Sequence, residues 1–278
     1  MKLPFTKMHG TGNDFVVVNA LANPLKNPAA VAKRVCDRRF GIGADQMLLI
    51  EAPKLPGTEY RMAIYNADGS DVEMCGNGIR CFALYLRRHA LSSHDVIKVD
   101  TDAGMIVPAL QRDGLVRVDM GEPVLEGAKI PSTFSGRVVN RPLQVLDRTF
   151  EVTLVSMGNP HCVIFVDDVG AVDLPKFGPA TEHHAAFPRR INTEYIQVLD
   201  RKNLKMRVWE RGAGETMACG TGASAALVAA VLNGKADRDA TLHVRGGKLR
   251  IEWSEADNHV YMTGPAVEVF TGEIEIED

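Results

Sequence analysis

Two cysteines stand in matching surroundings, Glu73-Met74-Cys75-Gly76-Asn77-Gly78 and Met217-Ala218-Cys219-Gly220-Thr221-Gly222. Each is followed by Gly-x-Gly and then by a run of helical character, residues 79–86 and 223–232. A thiol at a helix start feels the positive end of the macrodipole and the N–H groups that the first turn leaves without partners. That lowers its pKa and raises its thiolate fraction. The glycines let backbone N–H groups close on an anion such as a carboxylate. Each stretch therefore supplies a thiol beside an anion cradle. A single Cys in such a place is more simply a small buried hydrophobe. Two in matched settings reverse that preference.

The two Cys lie 144 positions apart. A second pair of landmarks, Gly12-Asn13-Asp14-Phe15 and Gly158-Asn159-Pro160-His161, repeats at 146. Two landmarks in one order at similar offsets indicate an internal duplication with one such Cys per half. We expect two domains, 1–119 joined by the C-terminal segment 265–278, and 120–264.

The elements that must position these residues read as follows. Strands over 3–8 and 15–20 flank the polar turn Gly10-Thr11-Gly12-Asn13-Asp14. A helix is expected over 28–40, with Val31, Val35 and Cys36 on one face. Strands at 47–50 and 61–65 follow, and Asn66-Ala67-Asp68-Gly69-Ser70 turns into the first Cys stretch. Cys36 and Cys81 are expected as core packing. Strands at 97–99, 105–110 and 115–120 close the first half, and 121–149, with Pro123, Pro131 and Pro142, reads as a crossover. In the second half, strands at 152–156 and 162–166 surround Gly158-Asn159-Pro160-His161. A short helix at 174–184 ends on His183-His184, a solvated helix end rather than a metal site. Strands at 193–199 and 205–209 lead through Glu210 and Arg211 to the second Cys stretch. The helix behind Cys219 carries no charge until Lys235, and a helix apolar all round belongs in a core, here inside a surrounding sheet. Strands at 242–245, 248–253 and 260–263 precede an exposed acidic tail, 273–278.

Hydrophobic residues make up 45% of the chain and charged residues 24%, the balance of a soluble globular protein with a core. A net charge of −3 gives no electrostatic reason to expect nucleic acid or an anionic membrane as partner. The start of the chain lacks the apolar run of a signal peptide, and the longest apolar run, 223–232, is too short to span a bilayer. Five Cys at irregular spacing do not form a secreted disulfide framework, and no Cys-x-x-Cys or zinc spacing occurs. A reduced, cytoplasmic protein is expected.

The sequence resembles the diaminopimelate epimerase family. The matching stretches are Met8-His9-Gly10-Thr11-Gly12-Asn13-Asp14-Phe15, Asn66-Ala67-Asp68-Gly69-Ser70, Met74-Cys75-Gly76-Asn77-Gly78-Ile79-Arg80-Cys81, Gly158-Asn159-Pro160-His161, Asn192-Thr193-Glu194, and Trp209 through Gly222. They span the chain almost end to end. The resemblance implies a mixed α/β (α+β) fold of two pseudo-symmetric domains, each with strands wrapped around a central helix. The active site would lie in the cleft between them. The implied reaction inverts one α-carbon of diaminopimelate, interconverting the L,L and meso forms without pyridoxal phosphate, metal or other cofactor. Its product would serve lysine and peptidoglycan precursor synthesis.

Carried over by motif, Cys75 and Cys219 are the acid/base pair, supported by His161 and Glu210. Backbone N–H groups at Gly76, Asn77, Gly220 and Thr221 would hold the reacting carboxylate. Asn13, Gln46, Asn66, Asn159, Asn192, Glu210 and Arg211 would bind the rest of the substrate. The resemblance also implies a homodimer, and Phe270 stands where a Tyr is expected in the dimer contact.

Inversion removes a weakly acidic α-proton on one face and returns one on the other, which two thiols can do without moving the substrate. Helix N-termini aimed at the carboxylate would stabilise the carbanion's charge. Arg211 can grip a carboxylate through paired hydrogen bonds, a geometry that Lys does not reproduce. Against this stand a proline racemase-like enzyme, for which a His is expected where Asn77 stands, a dithiol redox protein, and a non-catalytic anion-binding module.

Overall fold

The computed structural model describes residues 1–276. Its first unit runs β1 (Lys2–Gly10), β2 (Asn13–Asn19), α1 (Pro28–Cys36), β3 (Gln46–Glu51), β4 (Tyr60–Asn66), α2 (Gly76–Arg88), β5 (Val99–Thr101), β6 (Gly104–Ile106), β7 (Ala109–Leu110) and β8 (Val116–Asp119). Its second runs β9 (Arg141–Val145), β10 (Arg148–Ser156), β11 (Pro160–Phe165), α3 (Leu174–Glu182), β12 (Asn192–Asp200), β13 (Asn203–Glu210), β14 (Gly214–Glu215), α4 (Gly220–Leu232), β15 (Asp239–Val244), β16 (Gly247–Trp253) and β17 (Val260–Gly264). The last strand, β18 (Val267–Glu275), belongs to the first unit.

The strand order is β18-β1-β2-β3-β4-β5-β6 in the first unit, and β17-β16-β15-β13-β12-β11-β10-β9 in the second. In the first, α1 joins the parallel pair β2–β3 and α2 the parallel pair β4–β5. In the second, α3 joins the parallel pair β11–β12, and α4 leads from β13 to its parallel neighbour β15. The duplication expected from the repeated landmarks is thus one topology built twice.

Each sheet has two buried faces, so its central strands are apolar at successive positions. Val16, Val18, Met47 and Leu49 meet Val31, Ala32, Val35 and Cys36 of α1. Period-two alternation sends Phe15, Val17 and Leu48 to the other face. In the second unit Cys162, Ile164 and Tyr195 pack with Leu174 and Phe177 of α3, while Val155, Val163, Ile196 and Val208 pack on α4. Gly220 and residues 222–230 of α4 are buried, as an all-apolar helix requires.

Local chemistry accounts for the element ends. Thr11 (φ 51°) and Gly12 (φ 87°) form the two-residue turn between β1 and β2, closed by the Gly10–Asn13 pair. Both residues are left-handed, as the right-handed twist of a tight hairpin demands. The Asn27 side chain caps α1 by accepting from Ala30 N, with Pro28 in the first turn. The helix expected to reach residue 40 stops at Cys36, because the Asp37 carboxylate accepts the N–H groups of Arg39 and Phe40 at 2.7 Å. The strand expected over 105–110 is broken into β6 and β7 around Pro108, which has no N–H to donate. The stretch expected as an irregular crossover contains β9, an edge strand that tolerates Pro142. Residues 273–275 of the expected acidic tail are the end of β18, with Glu273 and Glu275 exposed. Glu277 and Asp278 lie outside the described residues.

Candidate active site

Cys75 and Cys219 are the N-caps of α2 and α4. Both have extended backbone, φ −135° ψ 115° and φ −120° ψ 114°, and both thiol sulfurs accept a 3.4 Å hydrogen bond from an N–H three residues on, Gly78 or Gly222. A cap side chain normally supplies oxygen to this orphan donor. Here sulfur does, which fixes each thiol at the positive end of its helix. Gly76 and Asn77, and Gly220 and Thr221, form the first turns, whose N–H groups the helix itself cannot satisfy.

In the first unit the Cys75 thiol lies 3.6 Å from Asn13 Oδ1, which also accepts from Asn77 Nδ2 at 3.3 Å. Asn13 is held in turn by Asp45 Oδ2 at 2.8 Å. Behind it Asp14 receives Lys7 and Arg38. Burial pushes the Asp14 carboxyl up, but the Arg38 and Lys7 hydrogen bonds outweigh it and hold the group well below the usual carboxylate range. Gln46 donates to Asn66 Oδ1 at 2.9 Å, and Asn66 donates to Ser70 Oγ at 3.0 Å. Arg80, fully buried, donates to Gly76 O, Thr11 Oγ1 and Pro265 O, tying the start of α2 to the first hairpin.

In the second unit Cys219 Sγ lies 3.4 Å from Thr221 Oγ1 and shares a hydrogen bond with Glu210. Thr216 Oγ1 donates to the same Glu210 carboxylate. Burial pushes the Glu210 carboxyl up, against the bonds from Thr216 and Cys219. Burial also pushes the Cys219 thiol well up, aided by the negative charge of Glu210 and Glu194; Thr221 and Gly222 N–H act the other way. The lowered thiol pKa expected from the helix start is therefore not what Cys219 has. One N–H and one hydroxyl do not offset desolvation beside two carboxylates.

His161 is fully buried, with Nδ1 2.7 Å from Glu194 Oε1 and Nε2 2.9 Å from Asn159 Oδ1. Asn192 donates to Pro160 O and accepts from the Arg211 backbone N–H, both at 2.9 Å. The Arg211 side chain is exposed and reaches Arg189 O rather than the other candidate residues. The turn that carries Glu210 and Arg211 is anchored by Glu182 of α3, which accepts from Trp209 Nε1 at 2.8 Å and Gly212 N at 2.9 Å. Among the described residues no group of three or more His, Cys, Asp or Glu is arranged to hold a metal ion.

The profile of the family described as diaminopimelate epimerase matches residues 5–126 and 153–269. A Nostoc protein named diaminopimelate epimerase 1 is 54% identical over 99% of this chain and 100% of its own, and a diaminopimelate epimerase from Moorella thermoacetica is 54% identical over 98% and 99%. The chain belongs to the diaminopimelate epimerase family.

Solved structures of low sequence identity share the fold of this family member. A Bacillus anthracis protein of the phenazine biosynthesis PhzF family aligns at TM-score 0.70 with 13% identity, over 99% of this chain and 100% of its own. A hydroxyproline epimerase from Agrobacterium vitis aligns at 0.71 with 14% identity, over 100% and 93%. Such identities speak to architecture alone, so the family rests on sequence and decides against the proline racemase-like alternative.

Two groups around the diaminopimelate epimerase site escaped the sequence reading. Glu182 gave no signal, because its partners Trp209 and Gly212 lie about one α/β crossing away in the chain. Glu194 did give one. Alternation along β12 puts it on the face of Asn192 and Ile196, and a charged residue on a buried face is informative.

Proposed function

We propose that this protein epimerises diaminopimelate, interconverting its L,L and meso forms by proton transfer between two thiols and one α-carbon. A thiolate on one face takes the α-proton, and the thiol on the other face gives its own to the carbanion. The roles of Cys75 and Cys219 swap with direction. The observation that carries this reading is the identical capping of α2 and α4: two sulfurs, each fixed at a helix start beside N–H groups suited to a carboxylate. Glu210, its carboxyl pushed up by burial and hydrogen-bonded to Cys219, is suited to receive that thiol's proton. His161 supports the thiol pair. Asn13, Gln46, Asn66, Asn159, Asn192 and Arg211 bind the amino and distal carboxylate groups. The scheme needs no cofactor, and the product serves lysine and peptidoglycan precursor synthesis. No helix among the described residues is long and apolar enough to cross a membrane. We place the enzyme in the cytoplasm as a homodimer.

The test is isotopic. In deuterated water, early product should carry deuterium at the inverted carbon while unreacted substrate stays protiated. Cys75→Ser and Cys219→Ser should each lose epimerisation by about 100-fold or more, a hydroxyl being a far weaker acid than a thiol. Wild-type turnover in either variant would overturn the two-thiol scheme.

A further inference from the structure

The two units build the place beneath their capping cysteines differently. On β2 and β3, Phe15 pairs in register with Gln46, and Val17 with Leu48. On β11 and β12, His161 pairs with Asn192, and Val163 with Glu194. Phe15 and His161 therefore occupy one position of the repeat, and Leu48 and Glu194 another. The same glycine of each helix start confirms it. A Cβ placed on Gly78 would meet Leu48 at 3.3 Å and Phe15 at 3.5 Å, whereas one on Gly222 would meet Glu194 Oε1 at 2.6 Å and Cys219 Sγ at 3.3 Å.

All four side chains are fully buried. The fold is thus satisfied at this place by an apolar pair, and the second unit replaces it with a histidine and a carboxylate. Burying an ion pair in place of hydrophobic side chains does not in general stabilise a protein. The second carboxylate oxygen, Oε2, is buried with no hydrogen-bond partner, a further cost that a purely structural group would not carry. Around the pair stand Cys219 at the start of α4, Glu210 at the end of β13 and Cys162 on β11.

We propose that Glu194 is a positioning residue for the proton transfer: its carboxylate holds a proton on Nδ1 of His161, fixes how that ring faces, and balances the ring's charge when Nε2 is protonated as well. This rests on the reading above in which His161 supports the thiols. A ring nitrogen facing a carboxylate oxygen at 2.7 Å donates to it, which makes Nε2, 2.9 Å from the Asn159 amide oxygen, the ring nitrogen that gains or loses a proton. A base oriented by a third, buried group is the arrangement that makes a histidine effective in transfer chemistry. The bare Cα of Gly222 makes the room for that carboxylate beside the thiol.

The test compares Glu194→Gln, the double variant His161→Phe/Glu194→Leu, which copies the first unit's pair, and Cys219→Ser. Glu194→Gln should lower kcat by about 100-fold with KM unchanged, and alter the pH–rate profile. Ring ¹⁵N spectra should show the His161 proton moving from Nδ1 to Nε2, because the new amide can donate where the carboxylate only accepted. The double variant should fold with an unchanged or higher Tm and still lose activity. Wild-type kcat and pH profile in Glu194→Gln, or full activity in the double variant, would remove Glu194 from the machinery. The control separates the two readings. A fully active Cys219→Ser overturns the site itself, whereas an inactive Cys219→Ser beside a fully active Glu194→Gln overturns only the role of Glu194.

Discussion

Cys36 and Cys81 show burial outweighing the nearby cations Lys7, Arg38 and Arg80 at a thiol. Each is pushed up to about 12 by desolvation, from an ordinary value of 9.0. The folded state then holds these protons more tightly than the unfolded chain does. Their contribution to stability is complete below about 9 and is lost as pH climbs towards 12. Tm should therefore fall with pH from about 9 upward, and more gently in Cys81→Ala than in the wild type; equal slopes in a melting series would contradict this. Cys219 shares the upward push, to which the negative charge of Glu210 beside it adds. Much of the candidate site is legible because its signals are local. Cys-Gly-x-Gly ahead of an apolar run announces a thiol at a helix start, and capping by that thiol follows from the three-residue spacing. The Glu194–His161 contact is not local. Its members lie 33 positions apart and meet only through the parallel pairing of β11 with β12.

Helix α3 shows how an element can serve a loop in another part of the sequence. Gly178 lets the ring of Trp209 lie on the helix backbone, and a Cβ there would come within 2.4 Å of it. Gly→Ala inside a helix ordinarily stabilises by about 0.5–1 kcal/mol. Here the overlap reverses the sign, because overpacking costs about 1–3 kcal/mol. Gly178→Ala should lower the urea midpoint and raise KM, since Trp209 and Gly212 are the anchors of the Glu210–Arg211 turn. An unchanged midpoint would show that the ring moves freely. Most elements follow from pattern, as with β1 and β2 around a polar turn and α4 from its unbroken apolar run. Of the strands that were not read, β9, β14 and β18, the two longer ones, β9 and β18, are edge strands with exposed alternate residues, where burial writes only half the usual signal.

At the scale of the molecule, β18 leaves Val267, Val269 and Phe270 exposed along a nine-residue sheet edge. An apolar edge of that length is a template for pairing, and a second copy of the chain is the partner we propose. Phe270→Asp should convert the sedimenting species from dimer to monomer, whereas a wild-type protein that sediments as a monomer removes the proposal.

The same strand sets the order in which the chain can be completed. β1 lies between β2 and β18, and pairs with the latter from Lys2 to His9. During synthesis β1 and β2 emerge first, yet the other side of β1 stays open until the ribosome has made all of residues 119–263. The second unit can therefore finish folding while the first still has an unpaired strand, the reverse of the usual N-terminal-first sequence. For that interval Leu3 and the N–H and C=O groups of β1 are available to other chains, so a nascent protein stalled short of Val267 carries an open template for aggregation.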